Sequence, residues 1–291
     1  ADRSVVDIQI VNNHVEDING VNGVTGNAGA GIYLASCFDC LVQGNYVKNS
    51  NFGTTGNSLA PGGIGINDAD NCIISDNKIV ECDYHAITVR NTDGFTITGN
   101  NIMAPRYMAI EVWQSSNGTI TGNRMSSATN TEQMYYVKGS SDIVFSGNIV
   151  NCTGNYRVVD LDGSGANNRL TISNNNFNYT GTSNVLMFGS SGTNDYVTVK
   201  GNIFRNNTSN GTKRGFSCTA MTNSDIEGNS FICASGQDAV LTSGTCTGTT
   251  YQNNKVVGNV SIDTGTAGLV FTLWGTAAPT AAGYAVGSRV F

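Results

Sequence analysis

The stretch Ile97-Thr98-Gly99-Asn100-Asn101-Ile102 returns 23 residues later as Ile120-Thr121-Gly122-Asn123-Arg124-Met125. In both copies a short alternating strand runs into Gly-Asn, and an apolar residue stands two places after the asparagine. Ten asparagines share that last spacing: Asn13, Asn45, Asn77, Asn100, Asn123, Asn148, Asn175, Asn202, Asn229 and Asn254. Their apolar partners are Val15, Val47, Ile79, Ile102, Met125, Val150, Phe177, Phe204, Phe231 and Val256. Successive asparagines lie 32, 32, 23, 23, 25, 27, 27, 27 and 25 residues apart. A repeat of this length, made of short apolar strands and Asn/Gly corners, predicts an all-β solenoid of about ten parallel coils.

The physics of one coil supports that reading. A strand of three or four residues alternates its side chains in and out. A corner follows, where Asn or Gly tolerates a left-handed backbone. The same corner of the next coil stacks about 4.8 Å away, so the asparagine amides can hydrogen-bond along the column. One coil cannot bury its own apolar face, whereas a stack makes a continuous core.

Composition narrows the function classes. Only 12% of the 291 residues are charged, with 36 Gly against 3 Pro, yet 39% are hydrophobic. Those hydrophobic residues keep phase with the asparagines, which argues against disorder. The formal net charge is −6 with no basic run, so nucleic acid is not an expected partner. No apolar run is long enough to span a membrane. The opening Ala1-Asp2-Arg3 runs directly into strand-like Ile8-Gln9-Ile10 and reads as a trimmed piece of a longer chain.

Insertions are expected at Asn19–Ala30 and Asn49–Gly63, projecting from one side, with a further one at Gly163–Asn168. The repeat fades after Val256. Residues 1–257 are therefore read as the solenoid, and 258–291 as a truncated C-terminal β extension. Among eight cysteines, Cys40 and Cys72 each stand five residues before a corner asparagine, a slot held elsewhere by Phe95, Ile143, Leu170 and Val197. They are expected to be core thiols, one above the other. If the protein matures outside the cell, the pair could close a disulfide. Cys37-Phe38-Asp39-Cys40 has no second CxxC and no nearby histidine, so neither metal nor cofactor is expected.

The coil pattern over residues 5–257 resembles the right-handed parallel β-helix of pectate-lyase-like proteins. The closing Gly275-Thr276-Ala277-Ala278-Pro279-Thr280 and Gly283-Tyr284-Ala285-Val286-Gly287-Ser288-Arg289-Val290-Phe291 is similar to a tail seen in bacteriophage tailspike and tail-fibre depolymerases. The resemblance implies a homotrimer on a virion tail, outside the cell, that binds and cuts bacterial surface polysaccharide such as capsule or O-antigen. If the protein is not viral, it is expected to be secreted.

Counting back from each corner locates the strand that could carry chemistry. Positions 13 and 11 before the asparagine are apolar and point inward: Ile64 and Ile66, Ile87 and Val89, Ile110 and Val112, Tyr135 and Val137. Positions 12 and 10 then point outward. One outward column holds Tyr33, Gly65, Thr88, Glu111, Tyr136 and Asp160; the other holds Ala35, Asn67, Arg90, Trp113, Lys138 and Asp162. All are expected on one water-exposed wall.

A flat aromatic face beside carboxylates suits a sugar site. Glu111 and Asp160 are two coils apart, about 9.6 Å by twice the strand spacing, close to the roughly 6.5–9.5 Å of inverting glycosidases. Glu111, desolvated beside Trp113, is expected to be the general acid, and Asp160 with Asp162 the base. Trp113, Arg90, Lys138, Tyr136, Tyr107 and His85 are the expected substrate contacts. A rival reading makes His85, Tyr84 or Tyr107 a proton abstractor beside a uronic acid, with Arg90, Arg106 or Lys138 neutralising its carboxylate. That would be a polysaccharide lyase or C5-epimerase. A third reading is a non-catalytic, glycan-binding adhesin or fibre shaft.

Overall fold

The computed structural model describes residues 5–18, 29–50, 61–127, 133–153, 157–180, 186–206, 214–218, 220–233, 238–242, 246–257, 259–262, 270–275 and 289–290. Three columns of parallel strands wrap one apolar core. The first column includes Pro61–Asn67, His85–Arg90, Met108–Trp113, Gln133–Lys138 and the start of Val159–Ser173. A second includes Cys72–Ser75, Asp93–Thr98, Ser116–Thr121 and Ser141–Ser146. The third includes Lys78–Val80, Asn101–Met103, Arg124–Ser126 and Ile149–Cys152. Among the described residues no helix is long and apolar enough to cross a membrane.

The corner asparagines form one continuous ladder from Asn13 to Asn254. Asn123 is typical. Its Nδ2 donates to Asn148 Oδ1 at 3.0 Å and to Ile97 O at 3.0 Å, while its backbone N–H donates to Asn148 Oδ1 at 2.9 Å. Its own Oδ1 accepts from Asn100. Buried amides are tolerated because their hydrogen bonds are all made. The left-handed residue is not the ladder asparagine but the one before it. Gly99, Gly122, Gly147, Gly201 and Gly228 have φ of 63° to 66° there, and Asn12, Asp76, Asn174 and Asn253 fill the same role. The corner thus separates two duties: the first residue supplies the backbone bend, and the second supplies the amide.

Inside, Phe145, Phe177, Phe204, Phe231 and Tyr251 stack from coil to coil with centroids 4.9–6.2 Å apart. Gly118 occupies a core slot where a Cβ would lie 2.1 Å from the Phe95 ring. Cys40 and Cys72 are buried on neighbouring rungs and are free thiols, as is Cys37. The three sulfurs lie within 4.8 Å of one another, a convergence the spacing of Cys40 and Cys72 alone does not reveal for Cys37. Burial pushes the Cys72 thiol up to about 11.

The insertion at Gly163–Asn168 does not break the strand. It lies within Val159–Ser173, as an irregularity in pairing between Gly163 and Asn167. The two earlier insertions fall largely outside the described residues. Parallel pairing continues past Val257: Asn259–Ile262 stacks on Asp238–Thr242, and Val270–Gly275 on Thr250–Val257. Most of the closing segment, residues 276–288 and 291, lies outside the described residues.

Candidate active site

Register fixes the two outward columns. Thr88, Glu111, Tyr136 and Asp160 pair in succession, as do Arg90, Trp113, Lys138 and Asp162. All of these except Thr88 and Arg90 border a groove of about 380 Å³. Its walls include Glu111, Asp160, Asp162, Trp113, Lys138 and Tyr136, with Tyr107 and His85 at one side. Of the nine expected site residues, Arg90 alone is absent from this lining; it sits behind Glu111.

The expectation of a wet wall fails for the two central acids. Glu111 is 3% exposed and Asp160 4%. They share one side of the solenoid but lie at the bottom of the groove, screened by neighbouring side chains. Alternation along a strand fixes direction, not depth: Glu111 and Asp160 are buried although they line the groove with the bulkier Trp113, Tyr136 and Lys138.

Their electrostatics also reverse the expected roles. Burial favours the protonated form of Glu111, but His85 and Arg90 outweigh it and hold this carboxyl below its usual range. Arg90 donates from Nε at 2.9 Å and Nη2 at 2.7 Å to Glu111 Oε2, and His85 Nδ1 lies 3.3 Å from the same oxygen. These contacts favour the ionised form of Glu111, the opposite of what the expected proton donor needs. Desolvation raises Asp160, assisted by the charge of Asp162, against the opposing pull of Arg157. Arg157 Nη1 donates to Asp160 Oδ1 at 2.6 Å, and Gln133 Nε2 faces Oδ2 at 3.5 Å. Asp162 goes the other way. Burial raises it, but hydrogen bonds from the Tyr136 hydroxyl (2.7 Å) and the Ser164 N–H (2.9 Å) lower it, with Lys138 Nζ 3.7 Å away. The net shift is downward. Burial and Asp162 together push the Tyr136 phenol well up, which keeps it a donor.

Trp113 is not an open platform. The Arg90 guanidinium lies 4.9 Å from its ring centroid and Lys138 Nζ 5.1 Å, from the coils on either side. These cations cover the ring faces, leaving an edge toward the groove. Tyr107 stacks on Tyr84 at 4.8 Å, and His85 packs beside both. His85 is buried, and its Nε2 has no hydrogen-bond partner among the described residues. Arg106 pairs with Asp83 and does not line the groove.

Sequence reasoning missed Gln133, Met108, Arg157 and Ser164. The first two had a signal: His85, Met108 and Gln133 all stand 15 residues before a corner asparagine and pair in register. Arg157 had none, because the insertion shifts the count in its coil.

The profile of the family described as "Right handed beta helix region" matches residues 30–204, more than half of the chain. The chain belongs to this right-handed β-helix family. The stacked coils therefore turn with a right hand. No curated protein matches the chain. Solved structures with similar folds include PfbA, a surface adhesin of Streptococcus pneumoniae, with 13% identity and a TM-score of 0.60 over 93% of this β-helix and 69% of that chain. DFA-IIIase from Arthrobacter chlorophenolicus without its lid aligns with 16% identity and a TM-score of 0.56, over 85% of this chain and 63% of that one. The tailspike of E. coli bacteriophage HK620, in complex with pentasaccharide, aligns with 15% identity and a TM-score of 0.61, over 92% of this chain and 54% of that one. The β-helix thus spans little more than half the length of that tailspike. At these identities the likeness establishes the fold.

Proposed function

We propose that this β-helix is a glycosidase that cleaves bacterial surface polysaccharide, with Asp160 as general acid and Asp162 as general base. The observation that carries the reading is the opposite displacement of two acids on one strand. Pairs of carboxyls driven apart in this way divide naturally into proton donor and proton acceptor. In the proposed step Asp160 protonates the glycosidic oxygen as its bond to C1 breaks. Asp162 takes a proton from the water whose oxygen bonds to C1. Tyr136 and Lys138 keep Asp162 ionised, and Glu111 holds Arg90 and His85 in place.

Residues two apart on a strand are separated by about 6.6–6.8 Å along the backbone. That backbone spacing is compatible with the roughly 6.5–9.5 Å between the carboxyl groups of inverting enzymes. The proposal is therefore an inverting hydrolase, with Asp160 and Asp162 replacing the Glu111–Asp160 pair expected from sequence. The tailspike and adhesin among similar folds, together with the closing sequence motif, support an extracellular role at a virion tail, as a homotrimer. Exposed Ile73, Val144 and Ile149 offer apolar contacts for such an assembly.

The test is incubation with capsule or O-antigen, followed by mass and anomeric analysis of the products. Saturated oligosaccharides of inverted configuration, lost in Asp160→Asn, support the reading. Products lighter by one water indicate elimination and overturn it in favour of a lyase. Binding without any product leaves an adhesin.

A further inference from the structure

We infer that the sugars held across this groove are uncharged, presenting hydroxyl or acetamido groups and not uronic acids. This rests on the groove being the glycan site.

The lining carries three acids, Glu111, Asp160 and Asp162, of which the proposed mechanism keeps Glu111 and Asp162 ionised, against one ammonium, Lys138. Each nearby cation is already engaged with one of those acids. Arg90 directs Nε and Nη2 at Glu111, Arg157 directs Nη1 at Asp160, and Lys138 lies 3.7 Å from Asp162 while resting over Trp113. A uronate brought here would meet acids among the lining residues, while Arg90 and Arg157, outside that lining, already donate to Glu111 and Asp160. Ionised carboxylates only accept hydrogen bonds, so they select donors: hydroxyls and amide N–H groups. A sugar carboxylate has none to offer. Among the groove's described residues the one ammonium, Lys138, already faces Asp162 at 3.7 Å, whereas acceptors suited to a polyol are concentrated there.

The probe is a uronate-bearing bacterial polysaccharide, used before and after carbodiimide–borohydride reduction of its carboxyls to primary alcohols, alongside neutral capsules and O-antigens. Binding is measured by calorimetry on Asp160→Asn, which arrests turnover in the proposed mechanism. In the proposed mechanism Asp160 is already protonated, so the neutral Asn leaves the charge of the groove as it is during binding. The expected result is at least tenfold tighter binding of the reduced polymer than of its uronate parent, with affinity for some neutral glycans. Equal or tighter binding of the parent overturns the inference. If neutral glycans bind but the unmodified protein does not cleave them, the inference stands and the hydrolase reading falls. Cleavage of uronate polymers with no preference for reduced ones sinks the inference and spares hydrolysis. Binding to none of these polymers overturns both.

Discussion

Two columns of mostly buried polar side chains run along this solenoid, and they obey opposite rules. In the corner ladder every rung from Asn13 to Asn254 is asparagine, and each amide repeats the bonds of the last. In the groove column the rungs are Thr88, Glu111, Tyr136 and Asp160, and each has different partners. Sameness in the first column serves the stack, because identical neighbours satisfy one another. Variety in the second prevents such self-satisfaction and leaves charge to be balanced by Arg90, His85 and Arg157. In a repeat protein, the departures from the repeat are where chemistry can reside.

The sharpest way to test that contrast is to remove one rung from each column. Asp160→Asn should lower turnover by about 10²–10⁴-fold, the range for loss of a general acid. The same change should raise the melting temperature at neutral pH. Burial raises the carboxyl of Asp160, so its ionised form opposes folding once pH exceeds the unfolded value; neutral Asn removes that penalty. Asn148→Ala should do the reverse, with little direct effect on chemistry. It strips the acceptor from both the side chain and the backbone N–H of Asn123. The Nδ2 group keeps Ile97 O and Thr121 O, so one buried donor, the backbone N–H, is orphaned, a loss of about 1–3 kcal/mol in denaturant unfolding.

Glu111→Ala should destabilise by about 3–5 kcal/mol, because Arg90 is left buried without its carboxylate. The Glu111 shift is downward, so its contribution is present above the unfolded carboxyl range and is lost as pH falls through the lower folded value. Acid unfolding of the parent should therefore include a component that Glu111→Gln lacks. Activity should follow a bell-shaped pH profile, falling on the acid side as Asp162 protonates and on the alkaline side as Asp160 ionises. Replacing Asp162 with Asn should abolish the acid limb. Last is Gly118→Ala, expected to cost about 1–3 kcal/mol from overpacking against Phe95. A neutral effect there would show that the Phe95 ring can move aside.

The fold was legible because its signal is periodic. Asn100 and Asn123 announce the stack, and the count back from them places Glu111 beside Tyr136 and Trp113 beside Lys138, in the register observed. Proton affinities were not legible. Glu111 and Asp160 occupy the same column and are almost equally buried, yet Arg90 and His85 converge on one while Arg157 meets the other with Asp162 nearby. Counting gives a side chain's direction but not the reach of an arginine from a neighbouring coil. The covered faces of Trp113 escaped for the same reason: its neighbours in sequence order were known, but not that both cations would fold over the ring.

Neighbouring ladder asparagines are only 23 to 32 residues apart in the chain. A ribosome adding roughly 5–20 residues per second completes a coil every few seconds. Each new coil emerges with its template already in place, one strand away. Such a rod can grow vectorially from its first-made end, and the groove, which spans coils from His85 to Asp162, is assembled well before synthesis reaches Phe291.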